Sequence, residues 1–371
     1  MSSKIKTINL ILYIIPLLLT VVSITVLYSL VFGGQDANLP LKQGIFSIVG
    51  ILAMLIASFV DYRFFKGTSW ILYIITLLLL VYVDFFGVAA GGAMRWIPLG
   101  MFQLQPSEVA KATTILALAS FFSGKIGRLQ WKDIIVSALI VSLPLLLILK
   151  EPDLGTALVI SFIYIMMLFW SKPTKVQTIT ISAAILIMAI VLVLSAMKVG
   201  PFGSLLQDYQ RNRILTFIDP NLDPYGKGYN VKQAQITIGS GGLFGRGLGR
   251  GSQSQLQFLP KPQTDFIFAG IAESFGFIGT AVFLSLFAYL IIQIVNVAHL
   301  ARDNFGMLLA IGAASMFLFQ VLVNVGMNLG LAPVTGIPLP FSSYGGSALV
   351  VYFSIIGVVQ GVYMRHKQIT F

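Results

Sequence analysis

Cysteine is absent from all 371 residues, which excludes disulfides, haem thiolates and zinc-thiolate centres. Histidine occurs only at His299 and His366, both at the ends of apolar runs, which argues against a histidine-based metal centre. Charge is scarce as well: 10% of residues are Asp, Glu, Lys or Arg, while 57% are hydrophobic. With a mean hydropathy of +0.90, too little polar surface remains to clothe a water-soluble globule, so the solvent is lipid. Acids are the scarcest charged class, 13 against 24 Lys and Arg, for a net charge of +11.

What is present is a series of apolar runs. Ten are long enough to cross about 30 Å of hydrocarbon, at roughly 8–32, 43–60, 68–88, 107–123, 133–150, 153–170, 177–197, 265–298, 305–330 and 344–364. The first exceeds a signal-peptide core and lacks a small-x-small cleavage site, so it reads as a retained span. The expected fold is an all-α polytopic membrane protein, a single domain over 1–371. It has ten transmembrane helices and a large extracytoplasmic loop, 198–265, between the seventh and eighth. Lys4, Lys6, Arg63, Lys66, Lys125, Arg128, Lys132, Lys172, Lys175, Arg302, Arg365 and Lys367 all fall on one side of this arrangement. The positive-inside rule then puts both termini in the cytoplasm and the long loop outside. These twelve of the 24 basic residues explain much of the net charge as topology, where anionic lipid attracts them, and no nucleic-acid partner is expected. The loop carries eight basic side chains against four acidic ones. Membrane insertion does not require that excess, and it suits either a solvated loop or a surface for a phosphate-bearing lipid.

Polar residues at membrane depth mark the candidate site. The piece from Arg95 to Gln105 mixes Trp96, Met101 and Phe102 with glutamines, as expected of a short segment lying in the interface. Pro106 then opens a span in which Glu108 and Lys111, at i and i+3, share a face and can pair. Such a pair either fixes two helices or faces a cavity. Asp153, in KEPDLGTA, suits the N-cap of the sixth span better than chemistry. In the long loop, which lacks regular apolar periodicity, Arg211 and Arg213 offer forked donors for a phosphate or carboxylate, or pair with Asp208 and Asp219. The glycines between Gly239 and Gly251 follow no strand and lack a Lys-Ser/Thr step, so they form no Rossmann or Walker element. Asp265 stands where the loop meets the eighth span, either as a helix cap or as the chemical centre. Glu273, about two turns deeper, would present a second carboxylate to the same cavity. Near the end of the chain, Ser343 precedes a helix start whose free N–H groups make an anion site.

FQLQPSEVAK, PDLGTA, DYQRNR, the DP-DP-G-GY pattern, GSGGLFGRGLGRGSQSQLQFLP, TDFIFA and PLPFSSYGGSALV together resemble the SEDS (shape, elongation, division and sporulation) proteins, most closely the members that act in rod shape. The likeness covers nearly all ten spans and includes irregular loop sequence that hydrophobicity would not generate. It implies a peptidoglycan glycosyltransferase of the bacterial cytoplasmic membrane, which polymerises lipid II at the outer face. The implied partner is a class B penicillin-binding protein that crosslinks the strands, alongside other elongation-complex membrane proteins. By the same resemblance Asp265 stands at the essential aspartate, Glu108 and Lys111 at the PSE-x-x-K positions, and Arg211, Arg213 and Ser343 in motifs that line the substrate cavity. Gln263 and Ser274 depart from the common pattern, in which His or Arg and a second acid stand there.

The implied reaction joins the 4-hydroxyl of an acceptor sugar to the anomeric carbon of a donor while undecaprenyl pyrophosphate leaves. An α-linked donor giving a β-1,4 product is an inversion, which needs one base, here Asp265. The leaving pyrophosphate needs positive charge, from Arg211, Arg213, Lys111 or a bound Mg²⁺ or Mn²⁺; no divalent-cation site is evident in the sequence. A lipid II flippase would use the same charges for binding alone, and a scaffold of a cell-wall synthesis complex would leave them unexplained. Clustering of the polar groups towards the outer half favours the enzyme.

Overall fold

The computed structural model describes residues 8–31, 37–90, 93–100, 102–199, 201, 206–251, 253, 258 and 262–366, with the side chains of residues 31, 89, 90 and 93 excepted. Lys4, Lys6 and Lys367, used above for orientation, and Met101 and Lys261 lie outside the described residues. Ten helices coincide with the ten apolar runs: α1 (Ile11–Val31), α2 (Leu39–Phe59), α3 (Tyr62–Phe86), α4 (Pro106–Phe122), α5 (Trp131–Lys150), α6 (Leu154–Trp170), α7 (Lys175–Ala196), α10 (Ile267–Leu300), α11 (Asn304–Asn328) and α12 (Gly346–Tyr363). Eight are long and apolar enough to cross a membrane. The other two, α4 and α6, have 17 residues each.

Capping chemistry sets many of the boundaries. Asp61 and Asp303 accept backbone N–H groups at the starts of α3 and α11, and Thr174 with Gln177 forms a capping box on α7. The bundle is organised on α11. The apolar window of α11 is 72% buried, that of α7 only 11%, so α11 is the central post and the rest of the bundle leaves α7 largely uncovered. Close approach of α2 and α12 depends on glycine. A Cβ on Gly357 would lie 2.3 Å from the Met54 carbonyl, and one on Gly50 would lie 2.5 Å from the Phe353 ring.

Two segments differ from expectation. The stretch before α4 is a three-stranded antiparallel meander, β1 (Val88–Ala90), β2 (Ala93–Leu99) and β3 (Phe102–Leu104). Gly100, at φ 69°, allows the tight β2–β3 turn, and the strands satisfy one another's backbone groups with Ile97 opposite Leu104. The described part of the long loop contains two helices, α8 (Asp208–Ile218) and α9 (Lys227–Ser240), with a 3₁₀ turn (Pro220–Leu222) between them. Its two Asp-Pro steps punctuate rather than extend the chain. Asp219 accepts from the Asn221 N–H, and Asp223 accepts from the Lys227 N–H at 2.7 Å. α9 lies against α10 and α11.

Beyond α9 the glycine segment is stitched to a break in α10. At Gly276, φ is 66° and ψ −168°, a conformation open to glycine. Across the break the Phe277 and Ile278 N–H groups donate to the carbonyls of Gly242 and Leu243, while the Arg246 and Gly247 N–H groups donate to those of Glu273 and Ser274. Loop and helix thus exchange the backbone bonds that the broken helix cannot make for itself.

Candidate active site

The starts of α4, α6, α10 and α12 meet at one end of the bundle. The Gln105 N–H donates to the Ser347 hydroxyl at 3.3 Å, and the Gln105 amide reaches Asp153 at 3.5 Å. Tyr344 donates its N–H to the Gln263 carbonyl at 2.9 Å. Four helix N-termini therefore bring their partial positive charge towards one region.

Asp265 lies in this region in a half-buried turn, and its backbone is clamped from two other elements. The side-chain amides of Asn324 and Asn328, on the central helix α11, both donate to the Asp265 carbonyl, at 3.2 and 3.1 Å. Ser343 donates to the neighbouring Thr264 carbonyl at 2.7 Å and accepts from the Leu339 N–H at 2.8 Å. α10 begins at Ile267, with Phe266 in the N-cap position, so Asp265 stands one residue before the cap. The clamp holds peptide groups on either side of the side chain, an economical way to aim a carboxylate.

Two cations belong to the same electrostatic neighbourhood. Arg213, on α8, donates through Nη1 to the Thr335 carbonyl at 3.2 Å, but its Nε is buried with no acceptor. An unsatisfied buried donor costs about 1–3 kcal/mol. Burial pushes the Arg213 pKa down, against the opposing pull of Asp153 and Asp265. Lys227, at the start of α9, is pushed down to about 8, first by burial and then by Arg213, with Asp265 and Asp223 opposing. Both line a cleft between the loop helices and residues 330–334.

The remaining candidates take other places. Glu108 and Lys111 form an ion pair of 2.7 Å that is almost wholly buried. The Lys111 ammonium lies 5.3 Å from the Tyr352 ring, whose hydroxyl accepts from Gln320 at 2.8 Å, so the pair ties α4 to α11 and α12. Asp153 caps α6 through the Thr156 N–H at 3.1 Å and the Thr156 hydroxyl at 2.9 Å; its charge also acts on Arg213. Arg211 donates its Nε to the Ala196 carbonyl at 2.9 Å, joining α8 to the end of α7, and among the described residues neither arginine forms an ion pair with Asp208 or Asp219.

Glu273 corrects the expectation of a shared cavity. It has no exposed surface and accepts from Ser240 at 3.3 Å and from the Gln253 N–H at 3.0 Å. Helical periodicity put it below Asp265, but Asp265 precedes the helix, so the two side chains share no helical face. Ser343 is likewise a bracket for the Asp265 turn: α12 begins only at Gly346, and the Gly345 N–H at its cap is taken by Gln43.

Sequence reasoning missed Asn324, Asn328 and Lys227. The two asparagines, fully buried at i and i+4 in an apolar helix, carried a legible signal, because buried amides at membrane depth require partners. Glu151 was also underread. Its carboxylate is buried without a hydrogen-bond partner and is pushed up to about 8, chiefly by burial and then by Asp153 and Asp84, while Arg95 opposes. Arg95 donates its Nε to the Glu151 carbonyl at 2.7 Å.

The sequence model of the FtsW/RodA/SpoVE family of cell cycle proteins matches residues 3–368. The chain belongs to this family. Among FtsW/RodA/SpoVE relatives, it is 37% identical to the peptidoglycan glycosyltransferase MrdB of Escherichia coli (strain K12), over 96% of this chain and 94% of that protein. It is 36% identical to stage V sporulation protein E of Bacillus subtilis (strain 168), over 98% of each. In three dimensions it resembles a chain from a peptidoglycan synthase complex that coordinates polymerisation and crosslinking, with TM-score 0.82 and 31% identity, covering 97% of this chain and 99% of that one. It also resembles the rod shape determining protein RodA of Thermus thermophilus, with TM-score 0.70 and 28% identity, over 97% and 98%. The FtsW/RodA/SpoVE fold therefore accounts for the whole bundle and its loop.

Proposed function

We propose that this integral membrane protein is a peptidoglycan glycosyltransferase that polymerises lipid II, with Asp265 as its general base. The observation that carries the reading is the clamp of Asn324, Asn328 and Ser343 around the Asp265 turn, in a chain whose relatives are named for this activity. In the reaction the Asp265 carboxylate takes the proton of the acceptor 4-hydroxyl, and the oxygen attacks the donor anomeric carbon from the face opposite its phosphate. The bond from that carbon to the phosphate oxygen breaks as the new one forms, and the electron pair leaves with undecaprenyl pyrophosphate. A positioned base contributes about 10²- to 10⁴-fold in rate, and cations beside the leaving group offset the charge it gains. The described residues gather no set of three or more Asp, Glu, His or Cys side chains able to hold a metal. A Mg²⁺ or Mn²⁺ ion would instead be held by one or two carboxylates together with the substrate's phosphates, and would neutralise charge on the leaving group.

The basic residues of the short connections support a topology of ten spans with both termini cytoplasmic and Asp265 on the outer side. Its partner on this reading is a class B penicillin-binding protein, in keeping with the synthase complex whose chain it resembles. The test is polymerisation of labelled lipid II by purified protein with its cognate penicillin-binding protein, comparing the parent with Asp265→Asn. Polymer from the parent and almost none from the variant is expected. Equal polymer from both would remove Asp265 from the chemistry, and lipid II crossing liposomes with no polymer from the parent would favour a flippase.

A further inference from the structure

We infer that the cleft between α8, α9 and residues 330–334 is a diphosphate-binding site, held by Arg213 and Lys227, that receives the leaving group. The inference rests on the glycosyltransferase reading and specifies which cations serve it. Most of the other basic residues near the site are already committed. Lys111 is consumed by Glu108 at 2.7 Å. The Nε groups of Arg211, Arg95 and Arg246 are spent on the carbonyls of Ala196, Glu151 and Ser240. Arg213 alone among these arginines has a buried Nε with no acceptor.

Two cationic side chains line the cleft, and none of its lining residues is acidic. Like charges brought together in a half-buried site are costly unless an anion joins them. Lys227 shows that cost directly, since burial and Arg213 bring its ammonium down to about 8. The charged groups acting on it are Arg213 from α8, Asp265 from the turn before α10, and Asp223 from its own turn. The two carboxylates stabilise the pair only in part. A compact dianion would complete the balance, with the guanidinium as a planar fork and the ammonium as a point charge. Asp265 does not line the cleft, but its charge acts on both cations.

Phosphate oxygens can come from two sources, the leaving diphosphate or the headgroups of surrounding lipid, and the experiment separates them. Full-length protein in neutral detergent is acylated with an amine-reactive ester across pH 7–10. Labelling of Lys227 is quantified by peptide mass spectrometry against the exposed Lys232, with and without inorganic pyrophosphate. Pyrophosphate is expected to slow Lys227 labelling at least tenfold at pH 8 and to move its labelling midpoint up by a unit or more, leaving Lys232 unchanged. Arg213→Gln should abolish the protection, and Arg213→Lys should retain part of it, with melting temperatures confirming that both variants fold.

Unchanged Lys227 labelling with pyrophosphate would overturn the site, as would protection that survives Arg213→Gln. Protection by phosphatidylglycerol nanodiscs but not by pyrophosphate would make the cleft a headgroup site and overturn the assignment. Labelling needs no turnover, so loss of protection counts against the cleft alone, whereas polymerisation that survives Asp265→Asn counts against the base alone.

Discussion

Asp265 and Glu273 lie eight residues apart at the start of the same apolar run, yet the fold uses them in opposite ways. Asp265 occupies a half-buried turn whose peptide groups are gripped by Asn324, Asn328 and Ser343, and its carboxylate acts on the two cations of the cleft. Glu273 has no exposed surface, and its carboxylate is the acceptor that ties Ser240 and Gln253 to α10. One acid has its backbone held and its charge directed at a site. The other has its charge spent on holding a loop.

The largest effect is expected at Asp265. Replacement by Ala should lower polymerisation by about 10²- to 10⁴-fold while lipid II binding and the melting transition persist, read by gel assay and thermal melt. Glu273→Ala should show the reverse profile. Leaving the Gln253 N–H without its acceptor costs about 1–3 kcal/mol, seen as a lower melting temperature and faster proteolysis within 241–253, with a smaller loss of rate, while Ser240 keeps the Thr237 carbonyl. A Glu273→Ala protein that melts like the parent but makes no polymer would erase the distinction between the two acids.

Ser343→Ala tests the clamp from the far side. Releasing Thr264 loosens the aim of Asp265, and a roughly tenfold fall in kcat with little change in KM is expected. Ser343→Thr, which keeps the hydroxyl, should recover most of it. A smaller effect is expected at Glu151. Its carboxyl is raised to about 8 from an ordinary 4.5, so between those values the folded protein holds a proton that the unfolded chain has lost. Stability contributed by the protonated form is present at low pH and falls as pH rises through that window. Glu151→Gln should flatten this part of the melting temperature profile between pH 5 and pH 8; an unaltered profile would show that Glu151 ionises normally.

The helices were legible because lipid demands long apolar runs, and the ten runs found in sequence reappear as ten helices. Asp153 was legible as a cap because a short carboxylate followed by an apolar run has few other uses. The meander before α4 was hidden because strand pairing depends on partners rather than on local apolarity, and Trp96 and Phe102 read equally as interfacial anchors. α8 and α9 were hidden for a related reason. Their helices carry little apolar periodicity of their own and are stabilised by Asp219, Asp223 and the flank of α10. Lys227 escaped notice because its significance lies in a neighbour on a different helix, Arg213. The resemblance to SEDS proteins pointed to Asp265 but not to the asparagines that hold its backbone carbonyl.

The break at Gly276 has a consequence for depth. At 1.5 Å per residue, residues 277–300 run about 36 Å, enough by themselves to cross about 30 Å of hydrocarbon. The shorter piece from Ile267 to Phe275 adds about 14 Å beyond it. On the topology proposed above, the lower segment alone would supply the transmembrane anchor, while the upper segment would act as a stalk that lifts Asp265 to the level of the lipid headgroups. There a sugar can react in a wet layer while the prenyl tail that carries it stays dissolved in oil.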